Sequence, residues 1–376
     1  MLPKAFSSLG GMLVATALLV AACGGATPTT SPVANATQGV AKTAVPTVAA
    51  TAEPTAAPTA APTAGPTLKP TVDGVQNGRI AYAVKSIAGN FNLYSSLPDG
   101  SGELQLTTGS GNSLCAAYSA DGTKIAYCAS DGGDLFEIWT MQADGTKQTQ
   151  VTHLAGRVLF PDFSPDGKRI AFAGTVATDA NTDIYVVDAS TGKNLVALTS
   201  CKGKAAGCSN DYPAWSPDGK LIVFIHQDDY VNEVGVNEQV WVMDADGGNQ
   251  RALTTGTAIK DQLPNWSPDG KSIVYVSRES DKADSEGIWV MAADGSGQVQ
   301  LTGCKAGEPA PCAAGDDFAP VWSPDGTRIA FLRAFGAVGA NDRPVYVMNA
   351  DGTDQQRLLD ASPILQTAPA WQALRM

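Results

Sequence analysis

One stretch recurs along the chain, and its clearest copy reads Pro213-Ala214-Trp215-Ser216-Pro217-Asp218-Gly219-Lys220-Leu221-Ile222-Val223-Phe224. Variants lie at 160–172, 263–275 and 320–331, with a weaker copy at 118–127. Repetition at intervals of about 45 to 55 residues is typical of proteins built from repeated structural units. Ser-Pro-Asp-Gly has the composition of a tight turn, because proline fixes φ near about −65° and glycine accepts positive φ. Runs of β-branched and aromatic residues flank this turn, so the stretch predicts a β-hairpin.

A second hairpin motif follows each copy of the first. Its clearest example is Ile138-Trp139-Thr140-Met141-Gln142-Ala143-Asp144-Gly145, and it recurs at 240–247, 288–295 and 345–352. Each copy then reaches a Leu-Thr or Val-Thr pair, such as Leu253-Thr254. Two hairpins give four antiparallel strands, here named A to D, which is the composition of one propeller blade. Copies of strand B begin at Ile80, Ile125, Ile170, Ile222, Ile273 and Ile329. The chain is therefore predicted to be all-β, a six-bladed β-propeller.

The two ends of the propeller are predicted to share one blade. The sixth copy of strand A is Ala370-Trp371-Gln372, and the chain ends where its turn should begin. Asn77-Gly78, just before Ile80, can take the place of the missing Asp-Gly turn. We therefore expect the C-terminal strand to complete the first blade and close the ring, which would remove exposed sheet edges.

Residues 1–22 are typical of an export signal. One positive charge, Lys4, precedes an apolar run at 10–22 that is too short to span a bilayer comfortably. Val20-Ala21-Ala22-Cys23 resembles the bacterial lipobox, in which the cysteine is diacylated and becomes the new N terminus. This interpretation predicts an exported protein, anchored through Cys23 outside the cytoplasmic membrane or at the outer membrane. The alternatives are an uncleaved anchor and an ordinary signal with an incidental cysteine.

Residues 23–72 are dominated by alanine, threonine and proline and contain few large apolar side chains. Such a composition cannot bury enough surface to offset the entropy of ordering, so we predict a disordered tether. The propeller is assigned to 73–376. The formal net charge of −12 disfavours binding to nucleic acid and to anionic lipid surfaces.

The two hairpin motifs, Trp-Ser-Pro-Asp-Gly-Lys at 215–220 and Ile-Trp-Val-Met-x-Ala-Asp-Gly at 288–295, resemble those of the propeller domain of TolB and its relatives. The resemblance extends over 76–372. It implies a WD-repeat-like propeller in the cell envelope that docks partner segments near the opening of its channel. Fold resemblance does not identify the partner.

The predicted strand order places the tight A–B and C–D turns at one end of the blades and the longer connections at the other. Long loops on a rigid scaffold are where binding residues concentrate. The repeated tryptophans Trp215, Trp266 and Trp322 are interpreted as blade-packing residues. The turn aspartates, which are Asp166, Asp218, Asp269 and Asp325, are interpreted as turn formers.

Six cysteines besides Cys23 fall into three close pairs, and we predict the disulfides Cys115–Cys128, Cys201–Cys208 and Cys304–Cys312. The first pair is symmetric about the turn at 119–122, and the other two occupy equivalent D–A loops. Their spacing does not match zinc-binding pairs, and disulfides are the usual state of cysteines in exported proteins.

A candidate partner-binding mouth is predicted from carboxylates just before strand A in successive blades. These residues are Asp211, Asp261, Asp316 and Asp317. Gathered at one opening, they would favour a basic peptide or a cation, and Ca²⁺ is the ion that such oxygen ligands suit. The alternative is a solvated acidic rim that binds nothing, and no cofactor is predicted.

Signals for catalysis are sparse, because the chain has two histidines and no Gly-x-Ser-x-Gly motif. We predict a monomeric, non-catalytic protein–protein interaction module that binds an envelope protein or peptide. The alternative is a propeller enzyme or a binding protein acting on envelope glycans or peptides through the long-loop face. Exposed aromatic loop residues such as Tyr230 and Phe335 would favour glycan binding.

Overall fold

The structure, a computed structural model, describes residues 74–175, 181–201, 208–228, 237–255, 259–279, 286–303, 316–334, 343–358 and 368–375. The predicted signal, the tether, Cys23, Cys304, Cys312, Tyr230 and Phe335 lie outside these ranges. None of the described segments forms a helix that is long and apolar enough to cross a membrane.

The described strands form six units of four. Unit 1 contains β1 (Val75–Lys85), β2 (Phe91–Ser96), β3 (Leu104–Gln105) and β24 (Ala370–Arg375). Unit 2 contains β4 (Asn112–Tyr118), β5 (Lys124–Ser130), β6 (Glu137–Gln142) and β7 (Thr149–Gln150). Unit 3 contains β8 (Arg157–Phe163), β9 (Arg169–Thr175), β10 (Asp183–Asp188) and β11 (Val196–Ala197).

Units 4 to 6 follow the same plan. Unit 4 contains β12 (Ser209–Trp215), β13 (Leu221–Asp228), β14 (Asn237–Asp244) and β15 (Arg251–Ala252). Unit 5 contains β16 (Ile259–Trp266), β17 (Ser272–Glu279), β18 (Gly287–Ala292) and β19 (Val299–Gln300). Unit 6 contains β20 (Asp316–Trp322), β21 (Arg328–Ala334), β22 (Val345–Asn349) and β23 (Gln356–Arg357). Pairing within each unit is antiparallel in the order A–B–C–D, and one parallel bridge, Glu238 to Lys260, joins units 4 and 5.

The Ser-Pro-Asp-Gly turns are held by hydrogen bonds within the motif itself. Ser216 Oγ donates to Asp218 Oδ1 at 2.7 Å, and Asp218 Oδ1 also accepts from Lys220 N at 3.1 Å. Ser216 Oγ in turn accepts from Leu221 N at 2.9 Å, and Gly219 adopts φ of 70°. The turns at 164–169, 267–272 and 323–328 repeat this arrangement. The interpretation of these aspartates as turn formers is confirmed.

The cores lie between successive units. Trp215 is 5% exposed and packs with Ala171 and Ile184 of unit 3. Trp266 packs in the same way against unit 4, and Trp322 against unit 5. The predicted packing role of these tryptophans is confirmed, and removing one such side chain typically costs about 3–5 kcal/mol.

The first and last of the described strands pair, as the sequence predicted. β24 lies antiparallel to β1, with Ile80 opposite Trp371, and Trp371 Nε1 donates to Gly78 O at 3.2 Å. Gln372 Nε2 donates to Gly122 O of unit 2 at 2.8 Å. Asn77 Oδ1 accepts from Asp325 N of unit 6 at 3.2 Å. Unit 1 therefore contacts the units on both sides of it.

The A strands of successive units contact one another. Each contacts the next in the order β24, β4, β8, β12, β16, β20, and β20 contacts β24. The predicted disulfides Cys115–Cys128 and Cys201–Cys208 are present, each with a Cα–Cα distance of 5.6 Å. The first links strands A and B of unit 2, as expected from its position about the turn.

Candidate functional site at the loop end of the units

The loop end is the end of the units where the A and C strands begin, opposite the Ser-Pro-Asp-Gly turns. Here five of the six A strands contain a β-bulge at a non-glycine residue with positive φ. These residues are Cys115 (55°), Phe160 (55°), Tyr212 (54°), Leu263 (53°) and Ala319 (57°). The A–B register shifts at each of them. Bulges redirect neighbouring side chains, and positive φ at such residues typically costs about 1–3 kcal/mol.

The bulge shows that the four predicted aspartates occupy different environments. All four lie within the A strands rather than before them. Asp261 and Asp317 are equivalent, each two residues before its bulge, and are 2% and 0% exposed. Asp211 lies one residue further along and is half-buried, while Asp316 is exposed. Asn210, 3% exposed, is the unit 4 counterpart of Asp261 and Asp317.

Asp317 forms a bidentate ion pair with Arg333 on strand B of the same unit. Arg333 Nε lies 2.6 Å from Asp317 Oδ1, and Arg333 Nη2 lies 2.7 Å from Oδ2. The guanidinium also lies over the Phe331 and Tyr346 rings, 5.2 Å and 4.9 Å from their centroids. Burial raises the pKa of Asp317, and the hydrogen bonds and charge of Arg333 oppose that rise. Asp317 thus has its counter-charge within its own unit.

Asn210 belongs to a buried polar network that sequence analysis missed. His226 Nδ1 lies 2.7 Å from Asn210 Oδ1, and Asn210 Nδ2 donates to Asp183 Oδ1 at 2.9 Å. Asp183 also accepts from Thr199 Oγ1 at 2.8 Å and from Cys201 N at 3.1 Å. His226, one of the chain's two histidines, is therefore 6% exposed and hydrogen-bonded where units 3 and 4 pack together. We call such a contact region between two successive units a seam.

Asp261 differs from both of its counterparts. Its strand B neighbour is Ser277, where the other units have His226 and Arg333. Burial raises the pKa of Asp261 to about 6, the nearby charge of Glu238 adds to the rise, and hydrogen bonds donated by Ser277 and Thr254 oppose it. Within the described residues, Asp261 Oδ1 is buried without a hydrogen-bond partner.

Glu238, at the start of β14, raises the pKa values of the carboxyls around it. It is 8% exposed, and burial raises its pKa, opposed by a hydrogen bond from Gln262 Nε2 and by the charge of Lys260. Burial likewise raises the pKa of Asp211 to about 6, against the charge of Arg157 and with a further rise from Glu238. Glu286 at the next seam follows the same rule, because burial and Asp316 raise its pKa.

The described part of the loop end is of mixed charge. Positive charges interact with five of these carboxyls but not with Asp261, and the five are Asp211, Glu238, Glu286, Asp316 and Asp317. The positive charges come from Arg157, Lys260, Arg278, Arg333 and Arg343. Among the residues that the structure describes, no three acidic, histidine or cysteine side chains are placed to hold a metal ion.

Comparison with known proteins identifies the family. The model of the TolB beta propeller domain matches residues 70–317. An uncharacterized protein of Agrobacterium fabrum is 30% identical over 41% of this chain and 47% of its own length. The Tol-Pal system protein TolB of Anaeromyxobacter dehalogenans is 30% identical over 34% of this chain and 25% of its own length. The chain thus spans about half or less of the length of these relatives.

A solved structure shows the same fold. The crystal structure of TolB from Acinetobacter baumannii superposes with a TM-score of 0.61 at 24% identity, covering 78% of this chain and 66% of that one. The all-β units, the pairing of β1 with β24 and the match over 70–317 agree with one another. The chain belongs to the TolB beta propeller domain family.

Proposed function

We propose that this protein is a six-bladed, closed propeller tethered outside the cytoplasmic membrane, which binds an envelope protein or peptide through its loop end without catalysing a reaction. Lipidated Cys23 would supply the anchor, and residues 23–72 would supply the reach, at about 3.1 Å per residue where the proline-rich chain is extended. The continuous series of A-strand contacts and the hydrogen bond from Asp325 N to Asn77 Oδ1 support closure of the ring.

One observation carries the assignment of the binding face. At the loop end, half-buried carboxyls and cations such as Asp211, Glu286, Arg157 and Lys260 interact across different units. At the turn end, each repeated aspartate is already bonded within its own turn. Charged groups arranged in this way favour recognition of one protein partner over others. The matches to TolB proteins of Tol-Pal systems support a protein partner in the envelope.

The binding face is tested by photo-crosslinking in living cells. A photoreactive amino acid would replace Lys260 at the loop end or, as the matched control, Lys220 at the turn end, whose side chain is 80% exposed. We expect one discrete crosslinked protein from position 260 and none from position 220. Crosslinks only from position 220, or from neither position, would contradict the proposal.

The anchor is tested by fractionation. Cys23→Ser should move the protein from the membrane fraction to the soluble fraction, because the acyl chains would be missing. Cys115→Ser, which removes a cysteine from the disulfide in unit 2, is the control and should stay with the membrane. Retention of Cys23→Ser in the membrane with its signal uncleaved would identify the segment as an anchor instead.

A further inference from the structure

Among the described residues, the seam between units 4 and 5 has an unpartnered buried Trp266 Nε1 toward the turn end and two further unpartnered buried polar atoms at the loop end. One is the acceptor Asp261 Oδ1 of unit 5, and the other is the donor Gln227 Nε2 of unit 4. Their residues are 2% and 8% exposed. A buried polar group that is left unsatisfied destabilises the fold, so two at the loop end of one seam require an explanation.

Both atoms face the same seam. Asp261 interacts with Thr254 and Glu238, so its side chain points toward unit 4. Gln227 lies directly opposite Glu238 in the β13–β14 pair, and opposed residues of an antiparallel ladder share one face of the sheet. Gln262 of unit 5 donates to Glu238, so this face points toward unit 5. Glu238 therefore lies at the seam with both groups.

The other units provide an internal control. The position of Asp261 is held in unit 6 by Asp317, which Arg333 neutralises, and in unit 4 by Asn210, which His226 and Asp183 satisfy. At the corresponding place on strand B, unit 5 has Ser277, which carries no charge. Asp261 therefore lacks the counter-charge that Arg333 supplies to Asp317, and it is suited to receive one from a bound ligand.

We propose that the seam between units 4 and 5 is a subsite for a basic residue of the partner peptide, whose side-chain cation binds Asp261 and Glu238 and whose main-chain carbonyl accepts from Gln227. This inference rests on the proposed function. A lysine or arginine in a peptide carries both the cation and the carbonyl that the two unpartnered atoms need. Two residues that interact with Glu238 are only half-buried, so this side of the seam is partly open to solvent. They are Asp211 and Lys260.

The burial of both carboxyls favours a ligand of positive charge. Burial raises the pKa of Asp261 to about 6, and it raises that of Glu238 although the charge of Lys260 opposes the rise, so a further cation would favour the ionised forms of both groups. A bound guanidinium or ammonium would stabilise the ionised forms and form charge-assisted hydrogen bonds. Binding is therefore expected to weaken below pH 6, where the carboxyls take up protons.

The probe is Nα-acetyl-arginine amide, with Nα-acetyl-citrulline amide as its neutral isostere. Titration of the mature chain from residue 23 onward, followed by NMR on the Gln227 side-chain amide, should show saturable binding of the arginine derivative only. Asp261→Asn, which keeps the side-chain volume, should weaken binding at least tenfold. Asp134→Asn, the same change at an exposed carboxylate of unit 2, should leave it unchanged.

Ser277→Arg is the decisive variant because it copies the arrangement of unit 6 into unit 5. We expect it to raise Tm and abolish binding, since the introduced arginine would occupy the place of the ligand cation. Gln227→Leu, which removes only the donor, should weaken binding without abolishing it and serves if Ser277→Arg fails to fold. Equal binding of the arginine and citrulline derivatives, or no binding of either, would overturn the proposal.

The two proposals fail in different ways. If position 260 captures a partner in cells and Asp261→Asn leaves that capture unchanged, the seam is not the subsite, although the loop end remains the binding face. If no partner is captured from the loop end, the proposed function fails whatever the titration shows.

Discussion

The two ends of the propeller units use the same residue type in opposite ways. At the turn end, Asp218 is exposed, and hydrogen bonds from Ser216 Oγ and Lys220 N hold its pKa below the usual value. At the loop end, Asp261 is 2% exposed, and burial raises its pKa to about 6. The ionised form of the turn aspartate stabilises the folded state, whereas the folded state favours the neutral form of the loop-end aspartate. Ionisable groups whose pKa is strongly shifted by burial are enriched at binding and catalytic sites.

The largest contrast between the two ends should come from their ion pairs. Arg333→Met leaves Asp317 buried without its partner, which typically costs about 3–5 kcal/mol. Lys220→Met is the matched change at the turn end, where the side chains of Lys220 and Asp218 are 80% and 54% exposed, and it should cost about 0–1 kcal/mol. Urea unfolding of both variants measures the difference.

A double variant separates lost packing from unpaired charge. Asp317→Asn added to Arg333→Met should recover most of the lost stability, because no buried charge then remains. If the double variant is as unstable as the single one, the cost comes from the contacts of Arg333 with the Phe331 and Tyr346 rings.

The carboxyls of the two ends should affect the free energy of unfolding in different pH ranges. The loop-end carboxyls have raised pKa values, so their contribution is fully present below about pH 4 and is lost as pH rises through about 6. The turn aspartates have lowered pKa values, so their contribution is present above about pH 4 and is lost as pH falls further. The free energy of unfolding should therefore rise as pH falls from 7.5 to about 5 and decrease below about 4.

Urea unfolding across this range checks the sign, and Asp261→Asn assigns it. For a carboxyl whose pKa is shifted to about 6, the effect is at most about 3 kcal/mol. In Asp261→Asn the gain between pH 7.5 and 5 should be smaller than in the parent protein. A stability that falls steadily from pH 7.5 to 5 would show that the loop-end carboxyls are not under the strain that their burial implies.

The difference between the two ends also explains what the sequence could predict. Turns, strand boundaries and the disulfide Cys115–Cys128 depend on contacts within one hairpin. All of the residues that make these contacts lie in one short stretch of sequence, so they could be predicted from it. The environment of Asp261 depends on Glu238 and Thr254 of the preceding unit, which no local pattern specifies. The bulges add a second difficulty, because Tyr212 and Leu263 adopt positive φ without being glycine. Counted back from the repeated tryptophan, Asp211 lies four residues before Trp215 and Asp261 lies five before Trp266, so their offset is visible in the sequence although the bulge is not.

The smallest expected effect on partner capture is at the turn end, where Ser216→Ala tests whether the repeated turns are purely structural. The variant removes the hydroxyl that donates to Asp218 Oδ1 and accepts from Leu221 N. Each of these two hydrogen bonds contributes about 1 kcal/mol, and the backbone bond from Gly219 N to Ser216 O remains to hold the turn. Urea unfolding should show that modest loss, while crosslinking from position 260 stays at the level of the parent protein. Ser267→Ala repeats the change in unit 5, in the same unit as Asp261, and should behave alike, because its turn lies at the opposite end of the strands. If Ser267→Ala reduced partner capture while Ser216→Ala did not, the turn of unit 5 would be coupled to the seam, and the separation of the two ends would not hold.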